Sequence, residues 1–398
     1  MGRRLTPPEP VLVERQDQIT EFVAQCRAEG AFAFDTEFVM EDRYEPEVCL
    51  IQIANNSGVY LIDPFGPFDL QPVWDMVCDE RVETIVHAGQ EDLGLCYQHT
   101  GNLPRRVFDV QVASGLVGLD YPLSLQKLAQ STIHVRLHKS KTLTDWRRRP
   151  LSASQIRYAA EDVAYLSPIR RRLGDKLRKT DRTSWANEEF RLFEEVVFYR
   201  RAEEEKLWHI KGAGSLEGAQ LSVLHDLLAW RDELAKSLNR PVRVVLKDYL
   251  LVEIAKQSIA NYAELRDLRG LNLSDKHVHS LVKTVRAALE KPEDQWPKSK
   301  PREIEAPGET VLVDLITAVI RGYCLEHELA YSLVATKRSI RELVRHHLLN
   351  GQKADNQIEL LSGWRGETIG GLLCRVLDGK GAVRIGRRGD EWTVSVDP

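Results

Sequence analysis

The chain has 398 residues, 43% of them hydrophobic, so it is long enough to form two or three domains with separate cores. Its 55 lysines and arginines stand against 59 acidic residues, and the net charge of −4 excludes a protein that coats nucleic acid through overall basicity. Six scattered cysteines predict reduced thiols rather than disulfides or a zinc site. A start without an apolar segment, and the absence of long apolar runs, predict a cytoplasmic protein without a membrane span.

Short apolar runs with tight connections dominate the first part of the chain. They predict strands over 31–38, 48–54, 58–62 and 82–87, and helices over 70–78 and 91–99. This order implies a mixed sheet with helices packed on it, which is an α/β layer fold.

After Pro150 the pattern becomes helical, with long helices predicted over 153–173 and 185–208. A glycine-rich break at 211–215 precedes several short amphipathic helices over 216–289, which predict a small all-α domain. The segment 291–307 holds four prolines among charged residues and is expected to be an exposed linker.

The C-terminal part predicts a second helical module, with helices over 311–349 and 369–377 and a terminal β-hairpin formed by 382–385 and 392–396. We therefore divide the chain into a domain at 1–210, a helical domain at 211–291, a linker at 292–307 and a second helical domain with its hairpin at 308–398.

Two acidic residues lie two positions apart in the first apolar run, Phe34-Asp35-Thr36-Glu37-Phe38. On a strand these positions point to the same side of the sheet, so the carboxylates of Asp35 and Glu37 can share a cation. The alternative is that the strand ends at Asp35 and both acids are solvated. This segment alone does not separate the two interpretations.

Two later segments place acids on helices. Asp92 is expected in the first turn of a helix, where the helix dipole favours an acid in any protein. Tyr158 and Asp162 lie four residues apart and therefore on one helix face, so Asp162 can hold a metal ion while the Tyr158 hydroxyl reaches a neighbouring water. A solvated tyrosine and aspartate at this spacing would be an equally ordinary explanation.

In chain order these segments resemble the three exonuclease motifs of the DEDD superfamily, in the subgroup whose third motif has a tyrosine, and most closely the ribonuclease D family. Asp35 and Glu37 match the first motif, Asp92 the second, and Tyr158 with Asp162 the third. Further matches in the same order are Tyr44, Pro46, Cys49-Leu50-Ile51-Gln52-Ile53, Leu61-Ile62-Asp63-Pro64, Phe108-Asp109 and Thr144-Asp145-Trp146-Arg147-Arg148-Arg149-Pro150-Leu151. The resemblance covers the first half strongly and implies an RNase H-like α/β exonuclease domain.

The resemblance also implies a pair of divalent ions, Mg²⁺ or Mn²⁺, and hard carboxylate oxygens suit either. By analogy Asp35, Glu37 and Asp162 would hold one ion, and Asp35 would bridge to a second that Asp92 helps to place through water. Tyr158 would orient the attacking water.

His87 and an arginine-rich segment are further candidates for the site. A related subgroup positions water with a histidine, but Tyr158 already fills that role, so we expect His87 to be structural or to lie beside the substrate. The segment Trp146-Arg147-Arg148-Arg149 combines an aromatic ring with cations and suits single-stranded RNA, although a buried tryptophan with solvated arginines would explain it equally well.

From about Leu221 the chain resembles the HRDC domain, through positions such as Leu224, Leu227 and Trp230. This resemblance implies contact with nucleic acid, for which Arg240, Arg243 and Lys247 are the candidates, whereas a purely packing domain is the alternative. The second helical module is weakly similar to HRDC sequences, and the terminal hairpin departs from that pattern.

Together the resemblances imply a monomeric 3′→5′ exoribonuclease that removes mononucleotides from RNA 3′ ends, including those of precursor tRNA. A DNA-directed exonuclease of the same superfamily would fit the first-half motifs equally. An inactive nucleic-acid-binding scaffold is disfavoured, because Asp35, Glu37, Asp92, Asp162 and Tyr158 are all present.

Overall fold

A computed structural model describes residues 9–138, 144–199, 203–299, 306–349, 355–389 and 391–397. The chain forms two compact units. The first consists of Met1–Glu37, Leu50–Glu195 and Glu305–Pro398, and the second of Phe38–Cys49 and Val196–Ile304.

A mixed sheet organises the first unit, as the sequence predicted, and it has six strands where the sequence predicted four. Its strands are β1 (Val11–Leu12), β2 (Ala31–Val39), β3 (Glu47–Ala54), β4 (Val59–Ile62), β5 (Glu83–Val86) and β6 (Val107–Asp109), in the order β1-β4-β3-β2-β5-β6. β5 runs parallel to both β2 and β6, whereas β3 and β4 are antiparallel. Burial of nearly every residue of β3 shows that both faces of the sheet are covered.

The described residues of the same part of the chain form eight helices. They are α1 (Gln16–Glu29), α2 (Gln71–Val77), α3 (Gln90–Thr100), α4 (Val110–Gly115), α5 (Leu125–Ile133), α6 (Ala153–Ala164), α7 (Leu166–Lys179) and α8 (Thr183–Arg191). Helices α1, α4 and α5 were not predicted from the sequence. Strands β1 and β6 were not predicted either, because two and three residues are too few to show a period.

The two long helices predicted after Pro150 are wrong as single helices. The first divides at Tyr165 into α6 and α7, and Tyr165 itself has φ −106° and ψ −4°. The second divides after α8, because Glu195 is extended, at φ −110° and ψ 134°. The preceding Glu194 accepts a hydrogen bond from the backbone N–H of Arg106 (3.0 Å), a contact 88 residues away that draws the chain toward β6.

The second unit is a helical domain around a leucine-rich core. Its helices are α9 (Val196–Tyr199), α10 (Glu203–His209), α11 (Ala219–Leu238), α12 (Val242–Val245), α13 (Asp248–Gln257), α14 (Tyr262–Asp267) and α15 (Asp275–Leu289). Leu224, Leu251 and Leu281 are fully buried in it. Arg231 of α11 is also buried, and its guanidinium donates to the Leu246 carbonyl (2.9 Å) and to Asp248 (2.6 Å).

The C-terminal module returns to the first unit. It contains α16 (Glu309–Glu326), α17 (Tyr331–Val334), α18 (Lys337–Leu348), α19 (Gly363–Arg365) and α20 (Gly371–Leu377), followed by β7 (Val383–Arg388) and β8 (Glu391–Val396). The predicted terminal hairpin is confirmed, and β7 and β8 are antiparallel. A Cβ on Gly322 of α16 would lie 2.3 Å from the Val394 carbonyl oxygen, so glycine is needed for the hairpin to lie against this helix.

Long-range contacts join this module to α8. Trp364 is buried and stacks on Trp185 with ring centroids 5.0 Å apart. Its indole N–H donates to Glu189 (2.7 Å), and Arg365 donates to the same carboxylate (2.6 Å). Because this buried carboxylate has both donors, breaking either contact would leave a poorly compensated charge inside the unit.

None of the helices in the described segments has both the length and the apolar character that a bilayer span needs.

Candidate active site

Three carboxylates from two distant parts of the chain converge in the first unit. Asp35 and Glu37 come from β2 and Asp162 from α6, and one oxygen of each lies within 4.8 Å of the others. The alternation of β2 and the helical position of Asp162 therefore produce the grouping that the sequence predicted.

Asp92 is fixed beside β2 by Thr36, the residue between the two strand acids. Asp92 lies in the first turn of α3 and is 7% exposed. Its Oδ1 accepts hydrogen bonds from the backbone N–H of Thr36 (3.0 Å) and from the Thr36 hydroxyl. The sequence interpretation missed Thr36, because this contact spans 56 residues and leaves no local signal.

Burial and mutual repulsion make the four acids reluctant to ionise. Burial, and then the charges of the other three acids, raises the pKa of Asp35 well above its usual range. Burial, with Asp162 and Asp92, raises the pKa of Glu37 to about 8. Burial also raises the pKa of Asp162 to about 7 and that of Asp92 to about 6, although hydrogen bonds from Tyr158 and Thr36 respectively oppose these two shifts.

This cluster fits a site for divalent cations. Asp162 Oδ2 is buried without a hydrogen-bond partner in the described part of the structure, and an unsatisfied buried oxygen is costly unless a ligand fills its coordination. Hard carboxylate oxygens are the donors that Mg²⁺ and Mn²⁺ prefer, and a cation would remove the repulsion that raises the pKa values.

Tyr158 lies on α6, the helix that also carries Asp162. Its hydroxyl donates to Asp162, one helical turn away on α6. Burial, followed by the charges of Asp162, Glu37 and Asp35, raises the pKa of Tyr158. The phenol is therefore neutral at physiological pH and can donate or orient a hydrogen bond, but it is not a general base by itself.

Asp109 supports the loop that leads into α3. Its buried carboxylate accepts hydrogen bonds from the backbone N–H groups of Ala88 (3.2 Å) and Gly89 (3.1 Å), and it also caps α4 through Gln111 (2.7 Å). The sequence signal was present, because an aspartate follows a short apolar run and precedes a helix. His87, in the same loop, lies 2.8 Å from the Leu123 carbonyl oxygen and must donate to it, which fits the structural role expected for this histidine.

The arginine-rich segment is largely neutralised by acids. Trp146 is 8% exposed and lies 6.1 Å from the Tyr158 ring, so its ring packs inside the site. Arg147 donates to Asp145 (3.0 Å), and Arg149 donates to Asp63 (2.8 Å) and to the Trp146 carbonyl (2.7 Å). Arg148 is 85% exposed and lies 3.6 Å from Asp145. RNA contact by this segment stays a prediction, and Arg148 is the member whose side chain is open to solvent.

The helical-domain candidates are all on the surface. Arg240 follows the end of α11, Arg243 lies on α12 and Lys247 precedes α13, and each of these side chains is exposed. They do not contribute to the carboxylate cluster. Their contact with nucleic acid stays a prediction.

Comparison with known families gives two matches in chain order. Residues 10–178 match the 3′-5′ exonuclease family, and residues 220–279 match the HRDC domain. The first range contains all four acids and Tyr158, and the second contains Arg240, Arg243 and Lys247.

Curated relatives extend the likeness to almost the whole chain. Ribonuclease D of Bartonella henselae is 31% identical over 93% of this chain and 90% of its own length. Ribonuclease D of Escherichia coli is 32% identical over 92% of this chain and 98% of its own length.

The solved structures agree with this assignment. The crystal structure of Escherichia coli RNase D, described as an exoribonuclease involved in structured RNA processing, covers 93% of this chain with a TM-score of 0.80 at 29% identity. A protein from Bifidobacterium adolescentis shares the fold, with a TM-score of 0.70 at 21% identity. The chain therefore belongs to the ribonuclease D family of 3′–5′ exoribonucleases.

Proposed function

We propose that the chain shortens RNA from its 3′ end, one nucleotide at a time, with two divalent cations, Mg²⁺ or Mn²⁺, held by Asp35, Glu37, Asp92 and Asp162. The observation that carries the proposal is the convergence of three half-buried carboxylates within 4.8 Å, with one buried Asp162 oxygen left unpartnered in the described part of the structure. Such a cluster is stable at neutral pH when cations replace the protons that burial would otherwise impose.

When bound, the cations stabilise the attacking and leaving oxygens of phosphodiester hydrolysis. The residues of the chain hold the carboxylates in place. Thr36 donates two hydrogen bonds to Asp92 and keeps its carboxylate beside β2, and Asp109 holds the backbone from which α3 begins. Displacement of Thr36 or Asp109 would therefore move the carboxylate of Asp92 without removing it.

Tyr158 positions the attacking water in this proposal. Its hydroxyl already donates to Asp162, and its raised pKa keeps the proton on the phenol. Packing of Trp146 against the ring restricts the directions in which the hydroxyl can point. A fixed neutral donor of this kind orients a water without removing its proton.

For the substrate we propose structured RNA 3′ ends, with precursor tRNA as the test case. The Escherichia coli relative is described as acting in structured RNA processing. Exposed Arg240, Arg243 and Lys247 of the helical domain would add phosphate contacts, and Arg148 would contact RNA near the active site. We further propose that the protein acts as a monomer in the cytoplasm.

The test compares three end-labelled substrates with the full chain: a single-stranded RNA, a DNA of the same sequence and a tRNA with a 3′ extension. Each is incubated with Mg²⁺, with Mn²⁺ and with a chelator. We expect mononucleotides from both RNAs, more slowly or not at all from DNA, and none with the chelator. Faster shortening of DNA than of RNA would contradict the proposed substrate class, and binding without cleavage of any substrate would favour an inactive scaffold.

A further inference from the structure

Helix α7 carries a concentration of positive charge that the active site does not use. Its fourteen residues include one acid, Asp175, and six cations, Arg170, Arg171, Arg172, Lys176, Arg178 and Lys179. The apolar positions Ile169, Leu173 and Leu177 are buried. A chain with a net charge of −4 therefore presents a strongly basic surface on one helix.

Four of these cations make no ion pair with any residue that the structure describes. Arg170 pairs with Glu83 through two hydrogen bonds (2.6 and 2.8 Å), and Arg178 pairs with Asp175. Within the described residues, the other four have no ion pair and are exposed; we call them the α7 cationic face: Arg171, Arg172, Lys176 and Lys179.

Helix stability does not explain this face. The helix dipole favours cations in the last turn, which accounts for Lys176 and Lys179 but not for Arg171 and Arg172 in the N-terminal half. Arg172 and Lys176 are four residues apart, a spacing at which like charges destabilise a helix.

Two surface cavities flank α7 and share Arg170 and Glu83. One, of about 320 Å³, lies between α7 and α8 and includes Arg178 and Arg191. The other, of about 220 Å³, includes Arg171, Ser167 and Asn56. Neither is lined by an acid of the metal cluster, so both are separate from the active site. The guanidinium groups of these linings can bind phosphate, although Glu29, Glu83 and Glu194 belong to the same linings.

We propose that the α7 cationic face binds the phosphate backbone of the RNA substrate outside the active site. The inference rests on the proposed function. Helix α7 begins directly after the helix that carries Tyr158 and Asp162, because Tyr165 alone separates α6 from α7. Arg170, next to the face, pairs with Glu83, which is in register with Ala31, four residues before Asp35 on β2. RNA that extends from the carboxylates toward this end of the sheet would reach α7. The unpaired arginines and lysines supply the charge that it needs, and sequence-independent contacts of this kind dominate affinity for nucleic acid.

The experiment measures RNA binding with a chelator present, so that no cleavage occurs. The test variant is Arg171→Gln/Arg172→Gln. The control is Arg15→Gln/Arg81→Gln, which changes the net charge equally but removes two exposed arginines that already pair with Asp17 and Asp79. A second variant, Lys176→Gln/Lys179→Gln, tests the same face if the first does not fold. Affinity for a thirty-nucleotide single-stranded RNA is measured over a series of salt concentrations.

We expect either α7 variant to bind the long RNA about tenfold more weakly at low salt, and to reduce the slope of log affinity against log salt by about 1.4, the value for two lost single-strand phosphate contacts. The control should keep the parent affinity and slope. Unchanged affinity and slope in both α7 variants would overturn the proposal, and so would an equal loss in the control.

Cleavage of a trinucleotide with Mg²⁺ tests the proposed function separately. The parent and the α7 variants should cleave it equally, and failure of the parent would reject the function and not the binding result.

Discussion

The acidic cluster and the arginine-rich segment beside it are charged regions of opposite kinds. In the cluster, the charged neighbours that shift the pKa values of Asp35 and Glu37 are other carboxylates. In the segment, Arg147 and Arg149 each donate to an acid. A charge that is paired within the fold stabilises the structure. A buried charge without an opposite partner indicates a bound ligand. By this criterion the carboxylates, and not the arginines, are the proposed catalytic centre.

The largest expected effect comes from removing a charge from the cluster. Asp35→Asn or Asp162→Asn should lower the single-turnover cleavage rate by at least about 10³-fold, because a cation ligand that supplies several kcal/mol of transition-state stabilisation is lost. Folding should be preserved, since repulsion in the cluster decreases. Asp145→Asn, in the arginine segment, is the matched control and should cleave at nearly the parent rate. Undiminished cleavage by either cluster variant would contradict the two-cation proposal.

A smaller effect is expected from the phenol that borders both regions. Tyr158→Phe keeps the ring against Trp146 and removes the hydroxyl that donates to Asp162. We expect a loss of about 10²-fold in the single-turnover rate, at the lower end of the range for a positioned proton-handling group, with unchanged Mn²⁺ affinity. The two readouts separate water positioning from metal binding. A rate equal to that of the parent across pH would reject the role of Tyr158.

The pH dependence of stability is a further property that distinguishes the acidic cluster from the arginine-rich segment. The folded-state pKa values are about 8 for Glu37, about 7 for Asp162 and about 6 for Asp92, above the usual carboxylate range. The folded protein thus keeps protons that the unfolded chain releases, and this contribution to stability is present below about pH 4 and lost as pH rises to about 8.

Without cations, the contribution of the cluster to the melting temperature should therefore fall between about pH 4 and pH 8. The stabilisation by Mg²⁺ or Mn²⁺ should grow over the same interval, because cations compete with protons for the carboxylates. Thermal unfolding with chelator and with metal measures both trends. Asp162→Asn should show weaker trends than the parent, and a metal effect independent of pH would contradict the placement of the ions on these acids.

The smallest expected effects are those of the compensated arginines. Arg149→Gln removes the donors to Asp63 and to the Trp146 carbonyl and should lower the free energy of unfolding by about 1 kcal/mol. Arg148 is 85% exposed, so Arg148→Gln should leave the unfolding transition unchanged and weaken RNA binding. Denaturant unfolding and RNA titration of both variants check this difference. Equal effects of the two substitutions on stability would show that exposure does not distinguish them.

The sequence was informative wherever the chemistry depended on local spacing. Asp35 and Glu37 alternate on one strand, and Tyr158 and Asp162 lie one helical turn apart, so their grouping needed no knowledge of distant contacts. Thr36 could not be found in this way, because its partner Asp92 is 56 residues away. Asp109 carries a local signal for a helix cap, but its contact with Gly89, 20 residues away, leaves none.

Domain contacts show the same limit at larger scale. The contacts of Glu189 with Trp364 and Arg365 cross at least 175 residues and place the C-terminal module in the same unit as the sheet. Chain order predicts the modules but not which of them pack together. The proposed boundary at residue 210 stays a prediction, and a fragment ending there would remove both donors to the Glu189 carboxylate.

The most direct test of the account is the release of the 3′-terminal nucleotide from a labelled RNA in single turnover, measured against Mn²⁺ concentration after treatment of the full chain with a chelator. If the four acids hold two cations, no nucleotide is released at zero metal, and the rate of release rises with nearly the second power of the free Mn²⁺ concentration. Asp35→Asn should abolish the release. Release of the terminal nucleotide without metal, or internal cleavage in place of shortening from the 3′ end, would contradict the account.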